Sequence, residues 1–215
     1  MMKQPFGIIL AGGLATRMGG GDKALLTLGG RPILSHVIDR LAPQVAQVAL
    51  NANGPADRFA AFGLPVLPDS IAEFPGPLAG VLAGLDWAAA QGADTVVSVA
   101  GDTPFFPCDL VPVLQRAAEG MAHPLVLAAT PRDDTEVTRS KTRTGLIRHP
   151  TFGLWPVALR DDLREALNGG LRKVVLWTER HGGREALFDG PGDPFFNVNT
   201  PEDLTEARAM AGLCE

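Results

Sequence analysis

The chain of 215 residues is long enough for one large domain or two small ones, and its 46% hydrophobic and 20% charged residues are typical of a globular protein. Its formal charge of −5 argues against a general nucleic-acid-binding protein, which would need a basic face. No stretch approaches the roughly 20 apolar residues that span a membrane, and the first residues lack the hydrophobic region of a signal peptide, so we expect a cytoplasmic protein with no membrane segment.

Short apolar runs alternate with helical patterns along the chain. Strands are predicted at 6–10, 45–52, 64–69 and 94–102, and helices at 32–45 and 76–91. The apolar positions that share a helix face are Ile33, Val37, Ile38 and Leu41 in the first helix, and Leu78, Leu82, Leu85 and Trp87 in the second. This alternation, without a repeat or linker, predicts one α/β domain over residues 1–215: a three-layer α/β/α sandwich with a mostly parallel sheet.

The glycine-rich stretch LAGGLATRMGGGDKALL at 10–26 directly follows the first predicted strand. Glycine permits the positive φ angles that turn successive backbone N–H groups toward an anion, so this turn predicts a phosphate site. It does not match a P-loop, because Lys23 follows Asp22 and precedes Ala24, and no register gives the Gly-x-Gly-x-x-Gly pattern of dinucleotide-binding proteins.

The polar segment at 130–150 interrupts the alternation with five basic residues, Arg132, Arg139, Lys141, Arg143 and Arg148, against three acidic ones. Its composition permits a solvated hairpin or a mobile flap over a site, inserted at 131–148, and surface loops are more often simply solvated. The two cysteines, Cys108 and Cys214, are too few and too far apart for a disulfide framework or a zinc site. We interpret them as buried or terminal thiols in a reducing compartment.

The run at 10–25 resembles the Leu-Ala-Gly-Gly-x-x-x-Arg-Met-Gly-Gly-x-Asp-Lys signature of nucleotidyltransferases that couple a nucleotide to molybdenum cofactor, and in detail that of the bacterial molybdenum cofactor guanylyltransferases (molybdopterin-guanine dinucleotide synthases). Further family motifs follow in order along nearly the whole chain: LNANG at 50–54, LPDSIAEFPGPLAGVLAGL at 67–85, AGDTPFFP at 100–107, RHPTFGLW at 148–155 and FFNVNTPEDL at 195–204. The polar segment before His149 is longer than the family usually carries. The resemblance implies a Rossmann-like nucleotidyltransferase fold.

The resemblance also implies a reaction, in which GMP passes from GTP to the phosphate of Mo-molybdopterin and pyrophosphate leaves. Both reactants are anions, so the reaction calls for positive charge that is already in place. Lys23 suits the triphosphate, and Arg17 offers a planar fork for the acceptor phosphate. Asp102 follows a buried strand at the edge where open α/β sheets bind ligands, and it would hold Mg²⁺. We therefore predict Arg17, Lys23 and Asp102 as catalytic. The non-catalytic alternatives are that Lys23 and Arg17 are solvated surface side chains and that Asp102 is a helix cap.

The resemblance implies that Asn51, Asp69 and the backbone of Leu10, Ala11 and Gly12 hold the guanosine part of GTP, without deciding which residue meets the base. Lys23 and Asp102 complete the predicted GTP site. Asn51 and Asp69 could instead close Asx turns. Asn197 and Asn199, two apart on an extended stretch, should share a face. The resemblance implies that they contact the pterin end, with Asn199 near the metal and with Gly76 and Pro77 lining the same groove; a purely structural role is the alternative. Thr200 is a natural cap for the last helix.

Histidine has no predicted catalytic role. His149, before a proline, is more often a hydrogen-bonding residue at a strand end than a catalyst, and we interpret His36, His123 and His181 as structural. The expected partners are GTP, Mo-molybdopterin, molybdenum-insertion proteins and apo-molybdoenzymes, with neither nucleic acid nor a membrane. Three rivals stay open: a cytidylyltransferase of the same fold, which carries Leu-Ala-Ala-Gly instead of Leu-Ala-Gly-Gly, a sugar-nucleotide pyrophosphorylase, and a non-catalytic chaperone that binds nucleotide and hands on the cofactor.

Overall fold

The computed structural model describes residues 3–12, 22–71, 76–132, 145–190 and 192–212. Its strands are β1 (Phe6–Leu10), β2 (Thr27–Leu28), β3 (Arg31–Pro32), β4 (Val48–Asn51), β5 (Val66–Leu67), β6 (Thr95–Ala100), β7 (Val126–Pro131), β8 (Leu146–Pro156) and β9 (Arg184–Leu187). Its α-helices are α1 (Ile33–Leu41), α2 (Pro77–Ala90), α3 (Leu110–Ala117), α4 (Arg160–Asn168), α5 (Val174–Arg180) and α6 (Pro201–Gly212). Short 3₁₀ turns occupy Lys23–Leu25, Ala42–Gln44, Ala56–Phe62 and Val157–Leu159.

The main sheet has the strand order β5-β4-β1-β6-β8-β7-β9. Strand β8 runs antiparallel to both of its neighbours, and the other neighbouring strands pair in parallel. The carboxyl ends of the parallel strands therefore meet at one edge. Strands β2 and β3 form a small separate hairpin. The prediction of a mostly parallel sheet is confirmed.

Helices cover both faces of the sheet and create two apolar cores. Helices α1, α3 and α6 pack on one face with Ile9 of β1, and α2, α4 and α5 pack on the other with Ile8. Successive side chains of a strand point to opposite faces, so β1 contributes to both cores. This arrangement is the predicted three-layer sandwich. None of the helices in the described ranges is long and apolar enough to cross a membrane.

The predicted elements differ from the observed ones mainly at their ends. The helix predicted over 32–45 ends at Leu41, because Pro43 cannot continue the helical hydrogen-bond ladder and a 3₁₀ turn follows. The strands predicted at 45–52 and 64–69 are shorter, as Val48–Asn51 and Val66–Leu67. Trp87, expected to be buried, is half-exposed and packs against Phe6 at the rim of the core.

The polar segment predicted at 130–150 is flanked by sheet. Strands β7 and β8 enclose it and pair in antiparallel fashion with a register shift after Leu127. Arg148 lies in β8, and its guanidinium binds the carboxylates of Glu179 and Glu185. The choice between flap and hairpin concerns residues 133–144, which lie outside the described residues, as does Cys214. Cys108 is an exposed free thiol, so the expectation of a buried one is wrong, because the turn before α3 carries it to the surface.

Candidate active site at the carboxyl edge of the sheet

Three adjacent strands bring their ends together at the centre of the sheet. Leu10 at the end of β1 is in register with Asn51 of β4 and Ala100 of β6. The Ala11 N–H donates to the Asn51 carbonyl at 2.9 Å, and the Gly101 N–H donates to the Leu10 carbonyl at 3.0 Å. A Cβ on Gly101 would lie 3.1 Å from the Leu10 oxygen, so glycine permits this close approach. Side chains that follow these strands therefore face one shared edge.

The first group of polar side chains at this edge is Lys23, Asp102 and Asn199, called here the Lys23 cluster. The Lys23 Nζ donates to Asn199 Oδ1 at 2.6 Å and lies 3.7 Å from Asp102 Oδ2. The exposed fractions of the Lys23 and Asp102 side chains are only 18% and 23%. An opposite pair of charges is therefore held mostly out of water, with the two atoms too far apart for a full hydrogen bond.

Burial raises the pKa of the Asp102 carboxyl above its ordinary value, and the positive charge of Lys23 partly offsets this rise. Desolvation disfavours the charged form of a carboxylate, so a further cation beside Asp102 would be favourable. The helix-cap alternative fails, because the next helix, α3, begins only at Leu110. Asp102 is therefore a buried anion whose charge the surrounding protein balances incompletely.

The segment 195–199 lies beside the Lys23 cluster. The Val198 N–H donates to the Asp102 carbonyl at 2.9 Å, and the Thr103 hydroxyl donates to Asn197 Oδ1. Val198 is fully buried, whereas Asn197 and Asn199 alternate with it and bind groups at the same edge. These contacts agree with the prediction that the two asparagines share a face.

A capping box fixes the position of Asn199. Asp203 N–H donates to the Thr200 hydroxyl at 3.1 Å, and the Asp203 carboxylate accepts from the N–H groups of Asn199 and Thr200 at 2.8 and 2.9 Å. Reciprocal bonds of this kind satisfy the free N–H groups at a helix start. Thr200 is thus the cap of α6, as predicted, and the cap holds Asn199 where Lys23 reaches it.

The second group at the edge is Asn51, Asn53 and Asp69, called here the Asp69 cluster. The Asn51 amide donates to Asp69 Oδ1 at 2.9 Å and to the Leu67 carbonyl at 3.2 Å. The Asn53 amide donates to Asp69 Oδ2 at 2.8 Å, and the Asp69 N–H donates back to Asn53 Oδ1 at 2.9 Å. The side chains of Asn51 and Asp69 therefore bind each other across β4 and β5 and do not close separate Asx turns.

Helix α2 approaches the Asp69 cluster through a glycine. A Cβ on Gly80 would lie 2.1 Å from Asn51 Oδ1, which is closer than any real contact. Gly76 precedes the helix with φ 156°, a backbone conformation that residues other than glycine rarely adopt. Pro77 is the first residue of the helix. Gly76 and Pro77 thus start the helix that contacts Asn51.

The remaining predicted residues are Arg17, Gly12 and His149. Arg17 lies outside the described residues, as do most residues of the glycine-rich stretch. Gly12 is exposed, and a Cβ there would meet no atom of the described residues within 4 Å. His149 binds the Thr130 hydroxyl through Nε2 at 2.9 Å and packs on the ring of Phe195. This contact agrees with its interpretation as a hydrogen-bonding residue, and burial lowers its pKa.

Four residues that contribute to the site were missed by the sequence analysis: Asn53, Gly80, Thr103 and Asp203. Asn53 belongs to an Asn-x-Asn pattern, and Gly80 is an interior helix glycine, which often marks a close contact. The part played by Thr103 becomes visible only with the chain folded, because Asn197 is distant in sequence.

A family model described as a MobA-like NTP transferase domain matches residues 7–182. A molybdenum cofactor guanylyltransferase of Bradyrhizobium sp. (strain ORS 278) is 49% identical over 96% of this chain and 93% of that protein. One of Mesorhizobium japonicum is 47% identical over 98% of this chain and 97% of that protein.

Solved structures of lower identity share the fold. A molybdopterin-guanine dinucleotide biosynthesis protein A from Archaeoglobus fulgidus aligns with a TM-score of 0.73 at 21% identity, covering 97% of this chain and 99% of that one. A CMP:2-keto-3-deoxy-manno-octonic acid synthetase complexed with CTP also aligns with a TM-score of 0.73, at 17% identity, over 99% of this chain and 100% of that one. The fold of these structures thus extends over nearly the whole chain.

Proposed function

Because the chain belongs to the MobA-like NTP transferase family, we propose that it is a molybdenum cofactor guanylyltransferase. It transfers GMP from GTP to the terminal phosphate of Mo-molybdopterin, forms the guanine dinucleotide cofactor and releases pyrophosphate. The observation that carries this proposal is the Lys23 cluster, in which a largely buried lysine and a carboxylate lie at the same sheet edge as the Asp69 cluster.

The reaction is a displacement at phosphorus and needs no side-chain nucleophile. An oxygen of the acceptor phosphate forms a bond to the α-phosphorus of GTP, and the bond from that phosphorus to the oxygen bridging the α- and β-phosphates breaks. Both reactants are anionic, so the protein accelerates the step mainly by positioning them and balancing their charge.

Lys23 supplies positive charge in a fixed place. An ammonium group has three donors, and one of them binds Asn199 Oδ1, so the other two remain for phosphate oxygens. The bond to Asn199 holds the lysine at the edge before substrate arrives. This preorganisation favours the transition state, because no bond has to be rearranged when charge moves to the leaving pyrophosphate.

The residues at the edge suit Mg²⁺. Among the described residues no group of three histidine, cysteine or acidic side chains could hold a metal alone. Mg²⁺ does not require such a group, since it commonly binds one or two carboxylates together with substrate phosphates and water. Asp102 would supply that carboxylate, and its incompletely balanced charge fits the role. The ion would neutralise phosphate charge when bound.

The Asp69 cluster is proposed to hold the guanosine, with the backbone of Leu10, Ala11 and Gly12 beside it. A carboxylate offers about four acceptor positions, and the Asp69 side chain uses one on each oxygen for an asparagine. The remaining positions match the N1–H and exocyclic amine of guanine. Gly12 has no side chain to come between the nucleotide and the backbone, so a close approach is permitted there.

The acceptor is proposed to enter from the opposite side of Asp102. The Asp69 cluster lies by β4 and β5, and segment 195–199 lies toward β7 and β9. A cavity of about 380 Å³ lined by Thr130, Ile147, His149, Phe188 and Asp193 lies beyond Phe195 on that side. Asn197, Asn199 and Arg17 are proposed to contact the acceptor on this side. Gly76 and Pro77 start the helix that contacts Asn51, so a contact of these two residues with the acceptor stays a prediction.

The test is to incubate the protein with Mg²⁺, molybdopterin and each nucleoside triphosphate in turn and to measure pyrophosphate. GTP should give pyrophosphate and the dinucleotide product. Preferential turnover of CTP would move the assignment to a cytidylyltransferase, and GTP binding without pyrophosphate release would indicate a chaperone. The cytoplasmic location and the molybdenum-insertion and apo-molybdoenzyme partners stay predictions.

A further inference from the structure

The guanidinium of Arg58 binds two separate segments of the chain near the site, the loop at 53–55 and Asp22. Nη2 donates to the Asn53 carbonyl at 2.6 Å, and Nη1 donates to the Pro55 carbonyl at 3.0 Å. Nε lies 2.7 Å from Asp22 Oδ2 in an ion pair, although its N–H is not aligned for a hydrogen bond. The guanidinium also lies 4.8 Å from the ring centre of buried Phe59. A guanidinium presents its N–H groups in a rigid plane, so it holds several acceptors at set positions. The ammonium group of a lysine, at the end of a flexible chain, could not do so.

One end of this arrangement is the phosphate-binding lysine. Asp22 immediately precedes Lys23, and the Asp22 carbonyl accepts from the Leu25 N–H at 3.1 Å, which starts the short 3₁₀ turn. The Asp22 side chain is only 11% exposed. Because the two residues are adjacent, the ion pair between Arg58 and Asp22 also restricts the position of the Lys23 backbone.

The other end is the Asp69 cluster. The Asn53 carbonyl binds Arg58, while the Asn53 side chain binds Asp69 in both directions. Arg58 is therefore joined by direct contacts to Asn53 and Asp22, and through them to the two groups of side chains proposed to hold the nucleoside and the phosphates.

We infer that Arg58 is a positioning residue that sets the spacing between the Asp69 cluster and the Lys23 cluster, so that both halves of one GTP molecule bind at once. This inference rests on the proposed function. Binding two linked parts of a ligand is much tighter than binding each part alone, provided that the two subsites already have the right spacing. Loss of the spacing should therefore weaken the whole nucleotide more than its parts.

The burial of this ion pair supports a positioning role. The side chains of Arg58 and Asp22 are 25% and 11% exposed, whereas those of the comparable pair Arg31 and Asp39 are 53% and 56% exposed. Exposed pairs contribute little, but a largely buried pair with further hydrogen bonds resists rearrangement. The exposed Arg31–Asp39 pair is therefore a matched control.

The experiment measures the affinity of the intact protein for GTP, guanosine and inorganic tripolyphosphate, by calorimetry for GTP and by NMR titration for the weaker fragments. In Arg58→Met, the Kd of GTP should rise about tenfold while the Kd of each fragment stays within about twofold. Asp22→Asn should behave alike, and the double variant should be no worse than either single one. Arg58→Lys should recover only part of the affinity, and Arg31→Met should change none.

Two results would overturn the inference: unchanged GTP affinity in Arg58→Met, or equal weakening of GTP and of both fragments, which would indicate a merely structural role. Turnover of the unmodified protein separates this outcome from failure of the proposed function. A protein that binds GTP yet never releases pyrophosphate would refute the reaction, while the comparison of whole nucleotide and fragments would still decide the role of Arg58.

Discussion

The Asp69 cluster and the Lys23 cluster differ in how fully their polar groups are paired within the protein. In the Asp69 cluster, both carboxylate oxygens accept from asparagine amides, and Asn53 and Asp69 bind each other twice. In the Lys23 cluster, Lys23 Nζ and Asp102 Oδ2 are 3.7 Å apart, and the lysine donates to Asn199 Oδ1. The first cluster has a shape that is complete without ligand, whereas the second retains charge that a ligand can satisfy.

This difference suggests a division of labour within one site. A mutually bonded network suits recognition of a base, because polar groups held in fixed positions disfavour a partner that leaves them unpaired. Charges that are held but incompletely balanced suit a reaction in which negative charge moves between phosphates. Substitutions on the two sides should therefore affect different kinetic quantities.

The largest effect is expected for Asp102→Asn. The change keeps the size of the side chain but removes the carboxylate proposed for Mg²⁺, so kcat should fall by about 10²–10³-fold, equivalent to several kcal/mol of transition-state stabilisation. Pyrophosphate release at saturating GTP measures it. Asp39→Asn, on exposed surface, is the control, and a kcat within twofold of the unmodified protein would remove Asp102 from the reaction.

Lys23→Met should lower kcat/KM by about 10²-fold, because it removes a preorganised donor to the phosphates. The preference for GTP over CTP should stay as it was, since the Asp69 cluster is untouched. Rates with both nucleotides test this pair of expectations. Lys3→Met, which removes an exposed lysine, should leave both quantities unchanged. Full activity in Lys23→Met, or loss of the preference for GTP over CTP, would contradict the division of labour between the two clusters.

Gly80→Ala should act on the opposite side. The new methyl group would displace the Asn51 amide from Asp69, so KM for GTP should rise about tenfold and discrimination against CTP should fall, with little change in kcat. Gly84→Ala is the control, because its Cβ would press on Ile8 in the core and lower Tm without touching the cluster. Unaltered base preference in Gly80→Ala would argue that Asn51 does not serve recognition.

The smallest effect concerns the titration of Asp102. Burial raises the pKa of Asp102, and the Lys23 charge partly lowers it again. Removing that charge in Lys23→Met should therefore move the pKa of Asp102 to a still higher pH, and the ionised form should be lost earlier on acidification. NMR titration of the carboxyl carbon measures the shift, and Lys3→Met should leave it unchanged. A pKa that stays fixed or falls would show that Lys23 does not act on Asp102.

Residues that follow strands directly could be found in the sequence. Asp102, Asn51 and Asp69 come after apolar runs, and the carboxyl ends of parallel strands share an edge, so their meeting was predictable. Gly80 and Arg58 could not be assigned in this way, because their roles depend on contacts between elements whose packing the pattern does not specify. The motif RHPTFGLW at 148–155 lies in β8, but its antiparallel direction was not predicted, because the residue pattern of a strand does not specify the direction in which it pairs.

The most direct test of the division of labour is a crystal structure of the protein with Mg²⁺ and GTP. We expect the guanine within hydrogen-bond distance of the Asp69 cluster and the α-phosphate beside Lys23, with the ion on Asp102. A triphosphate bound away from Lys23, or a base that touches neither Asn51 nor Asp69, would contradict it.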